Sequence, residues 1–147
     1  MRSMHTPRDR RIIIERIRRL TPDAHGRWGK MNAPQMLTHL TDAVRMATGE
    51  LPTRSKKLPL RFFPLKQFAI YLLPFPKGMP TAPELISRAP SEWSGEMDTL
   101  LTAIERFSAL DPRGPWPVHP AFGAMSGREW GVVAYRHFDH HLRQFGV

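Results

Sequence analysis

Ser126-Gly127-Arg128-Glu129-Trp130-Gly131-Val132-Val133-Ala134-Tyr135-Arg136-His137-Phe138-Asp139-His140-His141-Leu142-Arg143-Gln144-Phe145 reads as a helix by its cap and by its periodicity. The Ser126 hydroxyl and the Glu129 carboxylate stand at the spacing of a capping box, where each satisfies an orphan amide of the first turn. With His137 as zero and about 100° per residue, Trp130 falls near +20°, Val133 near −40°, Ala134 near +60°, His141 near +40° and Gln144 near −20°. These residues form one buried stripe. His140, near −60° on the same wheel, lies at its margin, and Arg136, Asp139 and Arg143 point away from it. His137 and His141 are one helical turn apart, with Cβ atoms about 5–6 Å from each other. Two ring nitrogens at that spacing can converge on one ion roughly 2.0–2.1 Å away. The alternative is a pair of core histidines bonded to backbone carbonyls or to each other. Several buried ring nitrogens then need partners, and each unmet polar group costs about 1–3 kcal/mol. A metal with a third ligand meets that need.

Three further long helices are expected upstream. Residues 7–20 carry Thr6 as a cap, Pro7 at the first helical position, and Ile13, Ile14, Ile17 and Leu20 on one side. A second helix over residues 32–48 starts at Asn32, which caps while Gln35 reaches back, and ends before Gly49. Met36, Leu40, Ala43 and Ala47 form its stripe, and His39 sits near the polar edge of that stripe. A third helix over residues 91–110 shows Trp93, Met97, Leu100, Ile104 and Phe107 at spacings of four and three, and Pro112 closes it. Between the second and third, residues 49–90 hold prolines 52, 59, 64, 74, 76, 80, 83 and 90, which exclude one continuous helix. Residues 68–73 read as a short helix within that stretch. The expected fold is all-α: a four-helix bundle in a single domain, with a long proline-rich crossover that lets helices two and three run parallel.

The 147 residues suffice for one domain with a sizeable core, and 41% of them are hydrophobic. Absence of cysteine excludes disulfides, thiolate zinc sites, iron–sulfur centres and a cysteine nucleophile. Any metal must take nitrogen and oxygen ligands. The start of the chain leads into arginines rather than an apolar signal core, and a cytoplasmic location is expected. Residues 60–75, the longest apolar stretch, are interrupted by Arg61, Pro64, Lys66 and Gln67 and fall short of the roughly 20 apolar residues that cross a bilayer. A net charge of +9 permits attraction to nucleic acid, anionic lipid or acidic small molecules. Much of it sits on Arg2, Arg8, Arg10, Arg11, Arg16, Arg18 and Arg19, read as a solvated helix face. No zinc finger, nucleophile elbow or glycine-rich phosphate loop is present.

Gln35-Met36-Leu37-Thr38-His39-Leu40, taken with His137-Phe138-Asp139-His140-His141-Leu142-Arg143-Gln144, resembles the DinB/YfiT-like superfamily of metal-binding four-helix bundles. A branch of that superfamily of unknown function is the nearer match, on Pro76-Lys77-Gly78, Pro80-Thr81-Ala82-Pro83-Glu84 and His119-Pro120-Ala121-Phe122-Gly123. The resemblance implies that His39, His137 and His141 are metal ligands and that Gln144 follows the last of them. It also implies that His140 does not ligate, and that the metal is zinc or nickel. It further implies a low-molecular-weight thiol as co-substrate, because characterised relatives include thiol-dependent transferases and isomerases.

Two other residues are candidates for the pocket. Asp42 could orient His39 or serve as a base, against a solvated carboxylate, and His119 could reach the metal mouth or anchor its own loop. The leading function is a metal-dependent enzyme of thiol-transferase or hydrolase type acting on a small molecule. The alternative is a non-catalytic metal or small-ligand binding protein, with a basic nucleic-acid module less favoured. A homodimer stays open.

Overall fold

The computed structural model describes residues 1–54, 58–77, 83–85 and 88–147. Gly78 and Pro80 to Ala82, part of the resemblance above, lie outside the described residues. Among the described residues the chain is all-helical, with α1 (Pro7–Ile17), α2 (Ala33–Thr48), α3 (Leu65–Tyr71), α4 (Trp93–Ala109) and α5 (Gly127–Gln144). Two single 3-10 turns, Pro59–Arg61 and Pro83–Leu85, sit in the long connection between α2 and α4. Among the described residues there is no strand, only an isolated bridge between His119 and Gly123 in the segment between α4 and α5. α3 is a fifth α-helix, and it begins earlier than the expected 68–73.

Both expected capping boxes form. Asn32 accepts from the Gln35 amide at 2.8 Å and Gln35 Oε1 accepts from the Asn32 amide at 3.0 Å, and Ser126 and Glu129 exchange the same pair of bonds. Gly49 ends α2 at φ 84°, a left-handed conformation that a side chain would strain. Thr6 occupies the cap position of α1 without a side-chain bond. α1 stops at Ile17, short of residue 20, because Arg19 and Leu20 turn back to the carbonyls of Arg16 and Ile17 in tighter i→i+3 bonds. At α4, Glu92 is the cap, accepting from the amides of Ser94 and Gly95.

α2 is the central helix. Met36, Leu37, Leu40 and Val44 are buried with Thr38, His39, Thr41 and Asp42, so α2 has almost no solvated face along its middle. α4 packs on one side of it, while α5 and the turn at Pro83–Leu85 cover others. Leu100, Ile104 and Phe107 of α4 meet it in the core, with Trp93 and Met97 half-buried at the edge.

α5 is held close to two other segments by glycines. A Cβ on Gly131 would collide with the Ser3 hydroxyl and the His5 ring, and one on Gly127 with Pro112 and the Trp116 indole. The missing side chains let residues 3–5 lie on the helix, where the Met4 amide donates to the Gly131 carbonyl at 3.0 Å. His5 then stacks on Phe107, with ring centroids 5.0 Å apart.

Candidate metal centre

His39 comes from the buried middle of α2, and His137 and His141 come from one face of α5, which the capping box and the stripe rotate toward α2. The structure brings the three imidazoles together. His137 Nε2 lies 3.0 Å from His39 Nε2 and 3.0 Å from His141 Nε2. The three possible ligand atoms all fall within 4.8 Å of one another. His39 and His141 are buried, and His137 keeps partial exposure. Among the described residues this is the one group of three His, Cys, Asp or Glu side chains so arranged.

Second partners fix which nitrogen carries the proton on two of the rings. His39 Nδ1 donates to the Leu85 carbonyl at 3.2 Å. His141 Nδ1 donates to Gln144 Oε1 at 2.8 Å. The orientation of the Gln144 amide follows from its other end, where Nε2 donates to the Trp28 carbonyl, a group that can only accept. Neutral His39 and His141 therefore point unprotonated Nε2 atoms at His137. His137 Nε2 can carry one proton and donate it to one neighbour, which leaves at least one pair of lone pairs facing each other.

Protonation does not relieve the crowding. Burial, and then the neighbouring His141 and His39 rings, hold His137 well below the ordinary histidine range. Burial and the nearby His39 push His141 down to about 3. Burial lowers His39 as well, opposed by its bond to the Leu85 carbonyl. Three neutral imidazoles aimed at one point are what a divalent transition metal requires of its ligands. For tetrahedral bonds of 2.0–2.1 Å the ligand nitrogens stand roughly 3.3 Å apart, close to the 3.0 Å found for the two pairs that share His137, with all three atoms within 4.8 Å of one another. By that comparison the donor set fits such an ion.

Four further residues line the rim. Phe75 stacks on His137 with centroids 5.9 Å apart and planes within 18°. His140 sits between Phe75 (6.0 Å) and Trp28 (5.7 Å), edge-on to His141, and takes no part in the convergence. The Lys77 ammonium lies 4.4 Å from the Trp28 ring centre. Trp28 Nε1 is buried without a hydrogen-bond partner among the described residues.

The remaining candidates lie elsewhere. Asp42 is neither solvated nor bonded to His39. It is buried, with Oδ1 3.3 Å from Arg45 and 3.6 Å from Arg88, because α4 and Arg88 cover the face that the α2 wheel assigns to solvent. His119 anchors its own loop: Nδ1 accepts from the amides of Ala121 and Phe122, both at 3.1 Å, and the ring packs on Trp130. Burial pushes it down to about 4. The sequence singles out none of Trp28, Phe75 and Leu85. Leu85 acts through a backbone carbonyl, which no residue type signals, and the other two depend on how the loops return to α5.

A family model described as a protein of unknown function, DUF1569, matches residues 8–146. No curated protein and no solved structure matches the chain.

Proposed function

The chain belongs to the DUF1569 family, and from that membership and the geometry above we propose that it is a metal-binding protein, with His39, His137 and His141 holding one divalent transition metal. The observation that carries this reading is the convergence of three Nε2 atoms whose protons are held off by Leu85, Gln144 and burial. Zinc or nickel suits three imidazoles. The DinB/YfiT-like resemblance belongs to the same proposal, with α1, α2, α4 and α5 as a four-helix bundle and the connection between α2 and α4 as its crossover. Two contacts support parallel α2 and α4. Arg88 ties Asp42, midway along α2, to Glu96 in the first turn of α4, and Pro117, beyond the end of α4, lies against Gly49 at the end of α2.

Three protein ligands leave coordination positions free for water or substrate, the condition of a catalytic rather than a structural centre. When bound, such a metal lowers the pKa of a water or thiol ligand toward neutrality. The chain's own residues perform the rest. Leu85 and Gln144 orient two ligand rings, burial keeps all three neutral, and Phe75, Trp28 and Lys77 give the rim an aromatic wall with one cation. This supports a thiol-transferase or hydrolase acting on a small molecule. A metal or small-ligand carrier is the alternative reading. Nucleic acid is less favoured, because three of the seven arginines of the basic amino-terminal region bond within the protein: Arg16 pairs with Asp139 at 2.7 Å, Arg10 donates to the Met4 carbonyl, and Arg2 donates to Tyr135.

Elemental analysis of protein purified without a metal column tests the proposal, with one zinc or nickel per chain expected. Protein that arrives without metal and takes none from added zinc, nickel or cobalt overturns it. In cobalt-loaded protein, a thiol that enters the centre shifts the visible absorption. An unchanged spectrum with every thiol tried assigns the centre to a carrier.

A further inference from the structure

α3 lies on the molecule with its apolar side outward. Leu65, Phe68 and Leu72 fall at i, i+3 and i+7 on one face. All three are exposed, whereas Ile70 on the opposite face is buried. Phe62 and Phe63, just before the helix, are 70% and 82% exposed, and Leu72 is 67% exposed. Polar bonds hold the segment in this attitude. The Arg136 guanidinium of α5 donates to the carbonyls of Ala69, Ile70 and Leu73. Lys66 donates to the Ala124 carbonyl and pairs with Glu129 at 3.2 Å. Burying those carbonyl contacts inward commits the leucines and phenylalanines to the surface. A cluster of large apolar side chains of this kind on an otherwise charged protein marks an interaction surface.

Charge selects the partner. Between Glu50 and Glu84 the sequence carries Arg54, Lys56, Lys57, Arg61, Lys66 and Lys77 and no acidic residue. Arg54 is exposed and Arg61 directly precedes the two phenylalanines, whereas Lys66 is held by Glu129 and Lys77 lies over Trp28. Arg54 and Arg61 are therefore the described basic residues left to flank the face. A second copy docked on this face about a two-fold axis would set these like charges against each other. An apolar ridge flanked by basic side chains instead matches the boundary between acyl chains and negatively charged headgroups. We infer that the face formed by Phe62, Phe63, Leu65, Phe68 and Leu72 docks this protein on an anionic lipid surface, with the phenylalanines entering the headgroup boundary and the basic residues meeting phosphate. No helix of the described residues is long and apolar enough to cross a membrane, so the contact is peripheral. The inference is independent of the metal centre.

Co-sedimentation of the full chain with vesicles of equal parts phosphatidylcholine and phosphatidylglycerol tests it, with pure phosphatidylcholine as the neutral arm. Binding is expected on the anionic vesicles, weakening as salt is raised, and at least about tenfold weaker on the neutral ones, as loss of several screened basic contacts implies. The double variant Phe62→Ser with Phe63→Ser removes only exposed side chains and is expected to fold. It should lower partitioning by roughly a hundredfold, since each phenylalanine withdrawn from an apolar environment costs about a decade. Arg18→Gln with Arg19→Gln, on the far end of the basic α1 region, should leave most binding intact. No binding to anionic vesicles at low salt overturns the inference and leaves the face to a protein partner. Binding lost with the arginine pair and kept by the phenylalanine pair overturns it in favour of α1. Dimerisation in sedimentation equilibrium without lipid, abolished by the phenylalanine pair, overturns it in favour of a second copy.

Discussion

Gln144→Met separates the orientation of a ligand from its presence. Gln144 is 3% exposed and makes two side-chain bonds, accepting from His141 Nδ1 at 2.8 Å and donating to the Trp28 carbonyl. Methionine fills a similar volume and makes neither. The Trp28 carbonyl and His141 Nδ1–H lose their partners, and at about 1–3 kcal/mol for each unsatisfied group the fold should lose about 2–6 kcal/mol. His141 is then free to move its proton to Nε2, where it must be displaced before a metal binds. Losing such an orienting partner weakens metal affinity by about 10–100-fold, which is about 1.4–2.8 kcal/mol of binding. Gln144→Glu keeps an acceptor for His141 Nδ1 but sets a second oxygen against the Trp28 carbonyl. It should therefore lose stability while holding the metal as tightly as the parent. Zinc affinity by competition with a chromophoric chelator, alongside thermal melts, reads both quantities. If Gln144→Met binds zinc within twofold of the parent, or if Gln144→Glu weakens zinc as much as Gln144→Met does, the tautomer argument is refuted.

His141→Ala should abolish stoichiometric metal and the rise in melting temperature on adding zinc or nickel, whereas His140→Ala should keep both; equal retention by the two variants would show the ligands to be wrongly assigned. Because His137 and His141 sit below the ordinary value of 6.5, the unfolded chain takes up protons that the fold refuses as pH drops. Stability is therefore full above about pH 6.5 and falls below it, toward the value near 3 for His141, and metal binding weakens over the same range; melts from neutral to acid pH that show no decline below 6.5 would contradict this. Gly131→Ala should cost about 1–3 kcal/mol, because its methyl group meets Ser3 and His5, which denaturant unfolding measures directly.

What the sequence made legible was governed by neighbours along the chain. The two capping boxes, the Gly49 stop and the rotation of α5 that sets His137, His141 and Gln144 on one stripe depend on spacings of three and four residues, and they recur in the structure. What it hid depends on residues far away in the chain. Asp42 looks like a solvated carboxylate on the α2 wheel, yet Arg88, from beyond the long connection, closes over it. Leu85 orients His39 through a carbonyl that any residue could supply. Gly127 and Gly131 look like weak points in a helix until Pro112, Trp116, Ser3 and His5 are seen against them. α3 was expected as a short helix, but its outward apolar face follows from two long side chains: Arg136 of α5 donates to the carbonyls of Ala69, Ile70 and Leu73, and Lys66 of α3 donates to the Ala124 carbonyl and pairs with Glu129 of α5. Hydrophobic periodicity alone would have turned that face inward.

X-ray absorption at the zinc edge of zinc-loaded protein decides whether His39, His137 and His141 hold one metal. One zinc per chain is expected, with three imidazole nitrogens and a water oxygen at about 2.0–2.1 Å, and the imidazole count should fall in His141→Ala. A shell of oxygen ligands without imidazole scattering, or an imidazole count unchanged by His141→Ala, would contradict that ligand set.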